Sequence, residues 1–395
     1  MTLIFFDDYA RETLLPLTFT RPVSEIRIGI LTIGEKWKKY LKTDKTSCIT
    51  SDYLQQKYPF SFSSDNLFIN GSVCPDEGLL EAVDKLKDGQ ALVKDEILIA
   101  AKLGKADIDQ FDVHQYKGLD NITYKDNITR IVYPEQIFAF NEAEIRKDFK
   151  LITSGRTSAS ISATNTVIGD EIFAEEGAEA ECSIFNTKTG PVYLGRDTQV
   201  MENSTVRGAF ALCEGSQLKI GAKIYSGTTI GPHCRVGGEV NNAVIQAYSS
   251  KAHDGYLGNA VVGEWCNIGA DSNNSNLKNT YADVKLWSYQ KDSFRNTGLL
   301  HCGLIMGDHS KCAINTMFNT GTVAGVGANI FGAGFPRNFI PDFSWGGAQG
   351  LSVYSLNKMF ETAAKVYERR GRTFDDTEKA ILTKVFELTQ KYRRF

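Results

Sequence analysis

Cut every six residues, the stretch from Leu194 to Val236 reads LGRDTQ VMENST VRGAFA LCEGSQ LKIGAK IYSGTT IGPHCR V. Leu194, Val200, Val206, Leu212, Leu218, Ile224, Ile230 and Val236 open the pieces, and no piece breaks the rule. A period of six fits neither the period of a helix, about 3.6, nor that of a strand, about 2. It fits a hexapeptide β-helix, in which each hexad is one short strand and a corner and three hexads close a triangular coil. The aliphatic residue points into the prism. The small residue that often follows it, as in LGRD, IGPH and VGGE, lets the chain turn tightly. Backbone groups of one coil pair with the coils above and below, so the repeat stacks into a solenoid.

The same beat extends outward from this stretch. An earlier run sits at Ile168, Ala174 and Ala180. After EVNN it resumes at Val244, Ser250, Tyr256, Val262 and Ile268, which assigns Tyr256 to the inward phase. A last run covers Met306, Cys312, Phe318, Ala324 and Ile330. Between about 273 and 302 the beat stops, and NNSNLKNTYADVKLWSYQKDSFRNTGLL reads as an excursion with short strands in YADVKLWSY. Excursions of that length in compact repeats are more often functional than idle.

The flanks differ in character. Residues 1–150 are poor in glycine. TLIFF, SCITS, NLFIN and ILIAA suit buried strands, and GEKWKKYLKT and EGLLEAVDKLKD have helical spacing, which together predict an α/β domain. YPEQIFAFNEAEIRKDFKLI reads as a helical link, followed by the polar SGRTSASISATNT. The β-helix is expected over 165–340. A helical segment is expected over 350–395, with Asp375 or Asp376 capping its last helix.

A net charge of −3 gives no reason to expect a nucleic-acid surface. No apolar run approaches the roughly 20 residues of a membrane span. The acidic start MTLIFFDDYARETLLP is unlike a signal peptide, so a cytoplasmic protein is expected. The eight cysteines show no CxxC and read as reduced, mostly buried thiols.

KAHDGYLGNAVVGEWCNIGADSNNSN, from Lys251, carries the most specific resemblance. This half resembles the hexapeptide-repeat acyltransferases. The whole chain resembles the divergent Bacteroidetes-type form of the bifunctional N-acetylglucosamine-1-phosphate uridylyltransferases/glucosamine-1-phosphate acetyltransferases. The resemblance implies a left-handed parallel β-helix, a homotrimer, acetyl-CoA as cosubstrate and an amino-sugar phosphate as acceptor. It implies His253 as general base, with Tyr256, Asn267 and Asn276 positioning the substrates and Glu239 near the sugar. Asn241 stands where the family carries a lysine after Glu-Val, and Lys311 matches a basic residue close to coenzyme A phosphates. The first domain resembles sugar-1-phosphate nucleotidyltransferases in LIFFDDYARETLLPLTFTRP, which keeps the strand and PLTFTRP. The glycine-rich phosphate loop is replaced by DDYARET, and NLFING lacks the family's metal-binding Asp. Arg11, Arg21 and Lys36 remain as phosphate groups, and UTP and Mg2+ would be the partners of an active domain.

Acetyl transfer to an amine needs a base, an oxyanion donor and two substrates held together. Histidines, titrating near ~6.5 as a class, suit the first task. Taken alone, His253 reads as a surface or corner residue, the usual place of a single histidine in a β-helix. Asp254, its neighbour on the chain, would point to the opposite face of a strand. His233 reads as a structural corner residue, and His301 and His309 lack a third ligand for a metal. Three functions stay open: an acetyltransferase with or without nucleotidyl transfer, a nucleotidyltransferase with a structural β-helix, and a non-catalytic trimeric nucleotide-sugar-binding protein.

Overall fold

The computed structural model describes residues 1–104 and 116–395. The chain divides into two compact units. The first holds Met1–Leu14, Thr20–Ile26 and Leu31–Tyr133. The second holds Leu15–Phe19, Arg27–Ile30 and Pro134–Phe395.

The first unit is an α/β fold around a six-stranded sheet. Its strands lie in the order Thr46–Ile49, Thr2–Phe6, Asp65–Asn70, Ile97–Gly104, Gln90–Lys94, Asp120–Thr123. The first three are parallel, and the fourth runs antiparallel to the third. Thr2–Phe6 is buried along its whole length, as a strand with both faces covered must be. The helix Ile33–Leu41 begins with a capping box, in which the Thr32 hydroxyl accepts from the Glu35 N–H and the Glu35 carboxylate accepts from the Thr32 N–H. It is anchored by Trp37, whose indole N–H donates to the Val73 carbonyl over 2.8 Å.

The second unit is a left-handed parallel β-helix with helices at its C-terminal end. All eight aliphatics from Leu194 to Val236 lie in its core, as do Ala174, Ala180 and the run Met306 to Ile330. Three ladders of short parallel strands form the faces. One passes through Val206, Ile224, Val240 and Leu257, a second through Leu212, Ile230, Ile245 and Val262, and a third through Leu218, Val236 and Lys251.

The inward phase differs from a uniform beat in two places. At the start, Val167 rather than Ile168 takes the register of the core residue Phe185. In the middle, Ile245, Lys251 and Leu257 point inward, one residue later than Val244, Ser250 and Tyr256. The cause lies at three shortened corners: Val240 follows Val236 by four residues, and two further corners take five. Asn242 and Asn259 sit at the latter two in the left-handed region, φ +48° for each, which Asn tolerates better than most residues. The five-residue corners separate Val240 from Ile245 and Leu257 from Val262; with the four-residue corner before Val240 they leave Ile245, Lys251 and Leu257 one residue past the resumed beat, and only the last shortening brings Val262 onto it. Tyr256 therefore faces outward.

The helix Pro134–Thr153 packs with the solenoid. Its Asn141 amide donates to the Gly227 carbonyl and the Thr229 hydroxyl and accepts from the Gly29 N–H. The excursion forms an antiparallel hairpin, Lys285–Ser288 with Ser293–Asn296. Arg295 of that hairpin is ion-paired with Glu135.

Helices Leu356–Glu368 and Asp376–Leu388 close the chain, the latter capped by Asp375, which accepts from the Glu378 N–H. A ladder of left-handed corner residues receives them. The His233, Tyr248 and Trp265 rings stack in turn at 5.0 and 4.2 Å, and Tyr367 lies 3.8 Å from Trp265. No helix among the described residues is long and apolar enough to cross a membrane.

Candidate active site

Tyr256 opens the long strand Tyr256–Val262, in register with Glu239 one coil below. Two residues along each strand, Gly258 pairs with Asn241. Gly258 is the seat of the Tyr256 ring. A Cβ on it would lie 2.2 Å from the phenol oxygen and within 2.6 Å of two ring carbons, and those are its three nearest atoms. The Tyr-Leu-Gly spacing thus has a physical reason: the residue two places on must carry no side chain if the ring is to fold along the strand.

The phenol oxygen is the meeting point of the cluster. The Asn276 amide donates to it over 3.0 Å and to the Asn259 side-chain oxygen over 2.7 Å. Burial raises the Tyr256 phenol above its usual range. A hydrogen bond with Asn241 opposes that rise, the Glu239 charge adds to it, and the Asn276 bond opposes it again. The backbone beneath is held by two further asparagines. Asn273 accepts from the Tyr256 N–H, and Asn274 both accepts from the Gly258 N–H and donates to its carbonyl. Asn259, Asn273 and Asn274 were not singled out by sequence. Their signal is the density of asparagine in a repeat whose corners favour it.

His253 is exposed at the corner that leads from strand Ser250–Lys251 to Tyr256. Among the described residues its imidazole makes no hydrogen bond within the chain. Asn267 is exposed on a different face, in register with Ser250 and Lys311. One chain therefore brings together Tyr256, Glu239, Asn241 and Asn276, and leaves Asn267 and Lys311 apart from them. The Lys311 amine donates to the His309 carbonyl over 3.0 Å, and burial lowers its pKa.

The first unit has its own cavity, about 520 Å³, at the carboxyl ends of the three parallel strands. That is where ligands enter open α/β sheets, beside the strand from which the chain departs in both directions. Asp7, Asp8, Arg11, Thr50, Ser51 and Asn70 line it, with Glu96 opposite. The Arg11 guanidinium donates to the Ser51 hydroxyl over 2.7 Å, the Tyr53 hydroxyl over 2.8 Å and the Arg21 carbonyl over 3.1 Å. Arg21 and Lys36 are buried and do not line this cavity.

Both aspartates of the cavity are committed. Asp7 accepts from Thr50 and the Val23 N–H, and Asp8 from Asn70, the Ala10 N–H and Arg130. Among the described residues no group of three His, Cys, Asp or Glu could hold a metal ion. Among the described residues, the side chains that line this cavity do not make a set that fits the Mg2+ of nucleotidyl transfer.

Residues 3–157 match the family model described as sugar nucleotidyl transferase. No curated protein sequence matches the chain. Among solved structures, the chain is similar to three UDP-N-acetylglucosamine acyltransferases. That of Francisella novicida is 13% identical, with a TM-score of 0.32, covering 59% of this chain and 85% of its own. Those of Campylobacter jejuni and Bacteroides fragilis are each 16% identical, with TM-scores of 0.23 and 0.25. Each covers 59% of this chain, and 83% and 84% of their own. The protein is a transferase whose first domain is similar to the sugar nucleotidyl transferases.

Proposed function

We propose that the chain is an acetyl-CoA-dependent N-acetyltransferase whose acceptor is an amino-sugar phosphate of the glucosamine-1-phosphate kind. The observation that carries this reading is the gathering of Asn276, Asn241 and Glu239 around the Tyr256 phenol, with His253 exposed at the preceding corner of the same coil. His253 takes a proton from the amine as its nitrogen attacks the thioester carbon. The tetrahedral oxyanion collapses, the C–S bond breaks, and the proton leaves with the coenzyme A thiolate. Tyr256 and Asn276 orient the sugar, and Glu239 accepts from its hydroxyls. The working form is a homotrimer, in which Asn267 and Lys311 of one copy serve the donor beside the Tyr256 strip of a neighbour.

The cavity of about 520 Å³ and the family match favour a second activity in the first unit, binding or transfer of a nucleotide. One assay separates the possibilities: glucosamine-1-phosphate, acetyl-CoA and UTP are incubated with the protein, and free coenzyme A is resolved from pyrophosphate. Coenzyme A release that ends in a folded His253→Ala variant is the expected result, and unchanged turnover in that variant refutes the role of His253. Pyrophosphate without coenzyme A points to a nucleotidyltransferase with a structural β-helix. Neither product, with only ligand-induced thermal shifts, points to a binding protein.

A further inference from the structure

One core column of the solenoid runs Leu218, Val236, Lys251, Ile268, Cys312, Ile330. A lysine stands in it where every neighbour is an apolar side chain or a thiol. Lys251 is 2% exposed, and burial lowers its amine to about 8, with the charges of Asp254 and Asp271 opposing that fall. An ammonium in such a place is costly unless it is well hydrogen-bonded.

Its partners are two backbone carbonyls on successive coils. The amine donates to the Gly237 carbonyl over 2.9 Å and to the His253 carbonyl over 2.8 Å. The two corners they belong to lie against each other. The lower one, Gly237–Gly238, is short, because Val240 follows Val236 by four residues instead of six. A Cβ on Gly238 would come within 2.9 Å of the His253 carbonyl oxygen, so only glycine lets the upper corner settle there. With an aliphatic residue at 251, both carbonyls would lose this donor.

Serines and threonines are buried along much of the solenoid, but those hydroxyls aside, only Lys251 and Asn274 carry a polar side chain among the inward strand positions. Asn274, in the inward register opposite Phe318, spends its amide on Gly258, beneath the Tyr256 ring. A hole of about 10 Å³ lies among Lys251, Tyr256, Ser272 and Asn274. Lys251 and Asn274 thus lie under the two residues to which the proposed function gives the chemistry.

We infer that Lys251 is a positioning residue for acetyl transfer: from inside the prism it ties the corner bearing His253 to the coil below and fixes where the imidazole stands relative to Tyr256. This rests on the acetyltransferase reading above.

Two variants of the full chain test it. Lys251→Met keeps the length of the side chain and removes the donors, and Lys251→Gln keeps donors without the charge. Steady-state kinetics with glucosamine-1-phosphate and acetyl-CoA are measured beside hydrogen–deuterium exchange of the folded protein. For Lys251→Met the expected result is a kcat lower by roughly 10- to 100-fold, the scale of a misplaced catalytic group, with KM for the sugar little changed. Exchange should quicken at 237–239 and 252–256 and not elsewhere in the solenoid. Lys251→Gln should recover part of both. If kcat holds in Lys251→Met, or if KM rises and kcat stays, the positioning role is overturned, whatever the exchange shows. A wild type that transfers no acetyl group overturns the functional reading instead. The exchange arm then decides alone whether Lys251 holds the corner, and wild-type protection in Lys251→Met overturns that too. If neither variant folds, Lys251 is a folding residue and the inference falls.

Discussion

Gly258→Ala is a perturbation aimed at one side chain. The three atoms nearest the added methyl all belong to Tyr256, the phenol oxygen at 2.2 Å, and no backbone atom is closer than these. Gly258 is not among the residues with positive φ, so alanine fits its backbone. The ring must swing away and give up the Asn276 hydrogen bond, a net loss of about 1 kcal/mol. Replacing glycine where alanine fits returns about 0.4–1 kcal/mol through the unfolded state. The two terms nearly cancel, so the melting temperature should move by no more than a few degrees, at roughly 2–4 °C per kcal/mol for a sizeable domain. Activity should not be spared. With Tyr256 displaced from Asn276, Asn241 and Glu239, kcat/KM for the amino-sugar phosphate should fall at least as far as in Tyr256→Phe, which keeps the ring and loses the hydroxyl. Release of coenzyme A, followed with a thiol reagent at several acceptor concentrations, measures both. A Gly258→Ala protein with wild-type kcat/KM would refute the claim that the seated ring is part of the site.

Other outcomes follow from the same geometry. Folded protein gives up the Lys251 proton near pH 8, while the unfolded chain keeps it to about 10.4. Across that window the unfolded state binds more protons, so this group makes the fold more stable as pH rises, by on the order of 2–3 kcal/mol. Urea unfolding at pH 7.5 and pH 10, taken as the difference between wild type and Lys251→Met, should show that rise in the wild type only; a constant difference would contradict the burial. Arg130→Met strands the Asp8 carboxylate, which keeps Asn70 and the Ala10 N–H as donors, and should destabilise the first unit by about 3 kcal/mol in urea. Trp265→Ala removes the ring between Tyr248 and Tyr367. It should cost about 3–5 kcal/mol and speed proteolysis between residues 369 and 376, and unchanged cleavage would mean that the ladder does not hold the last helices.

The repeat was legible because an inward aliphatic every six residues is a direct imprint of a flat strand and a tight corner. Leu194 to Val236 needed nothing else. The strands of the first unit were legible for a similar reason: TLIFF and NLFIN are apolar along their length because both faces of the sheet are covered. The cavity network was not. Asp7, Thr50 and Asn70 follow or end three different strands, and only the sheet order brings them together.

Counting failed between Val240 and Val262 for a more instructive reason. In Ala243-Val244-Ile245 and Tyr256-Leu257, neighbouring residues are equally able to fill the core, so hydrophobicity cannot report a slip of one. The information lay in the corners, in Asn242 and Asn259, and in a glycine that makes sense only under an outward ring. A slip of one residue exchanges the two faces of a strand. Read on a uniform beat, Tyr256 is a core residue and Lys251 a surface one. Read with the shortened corners, Tyr256 stands at the surface beside Glu239 and Asn241, and Lys251 goes inside, where its amine is satisfied by the Gly237 carbonyl and by the carbonyl of His253. The site exists because the repeat is imperfect there: a regular hexad would have buried the phenol and left the two corners without their tie.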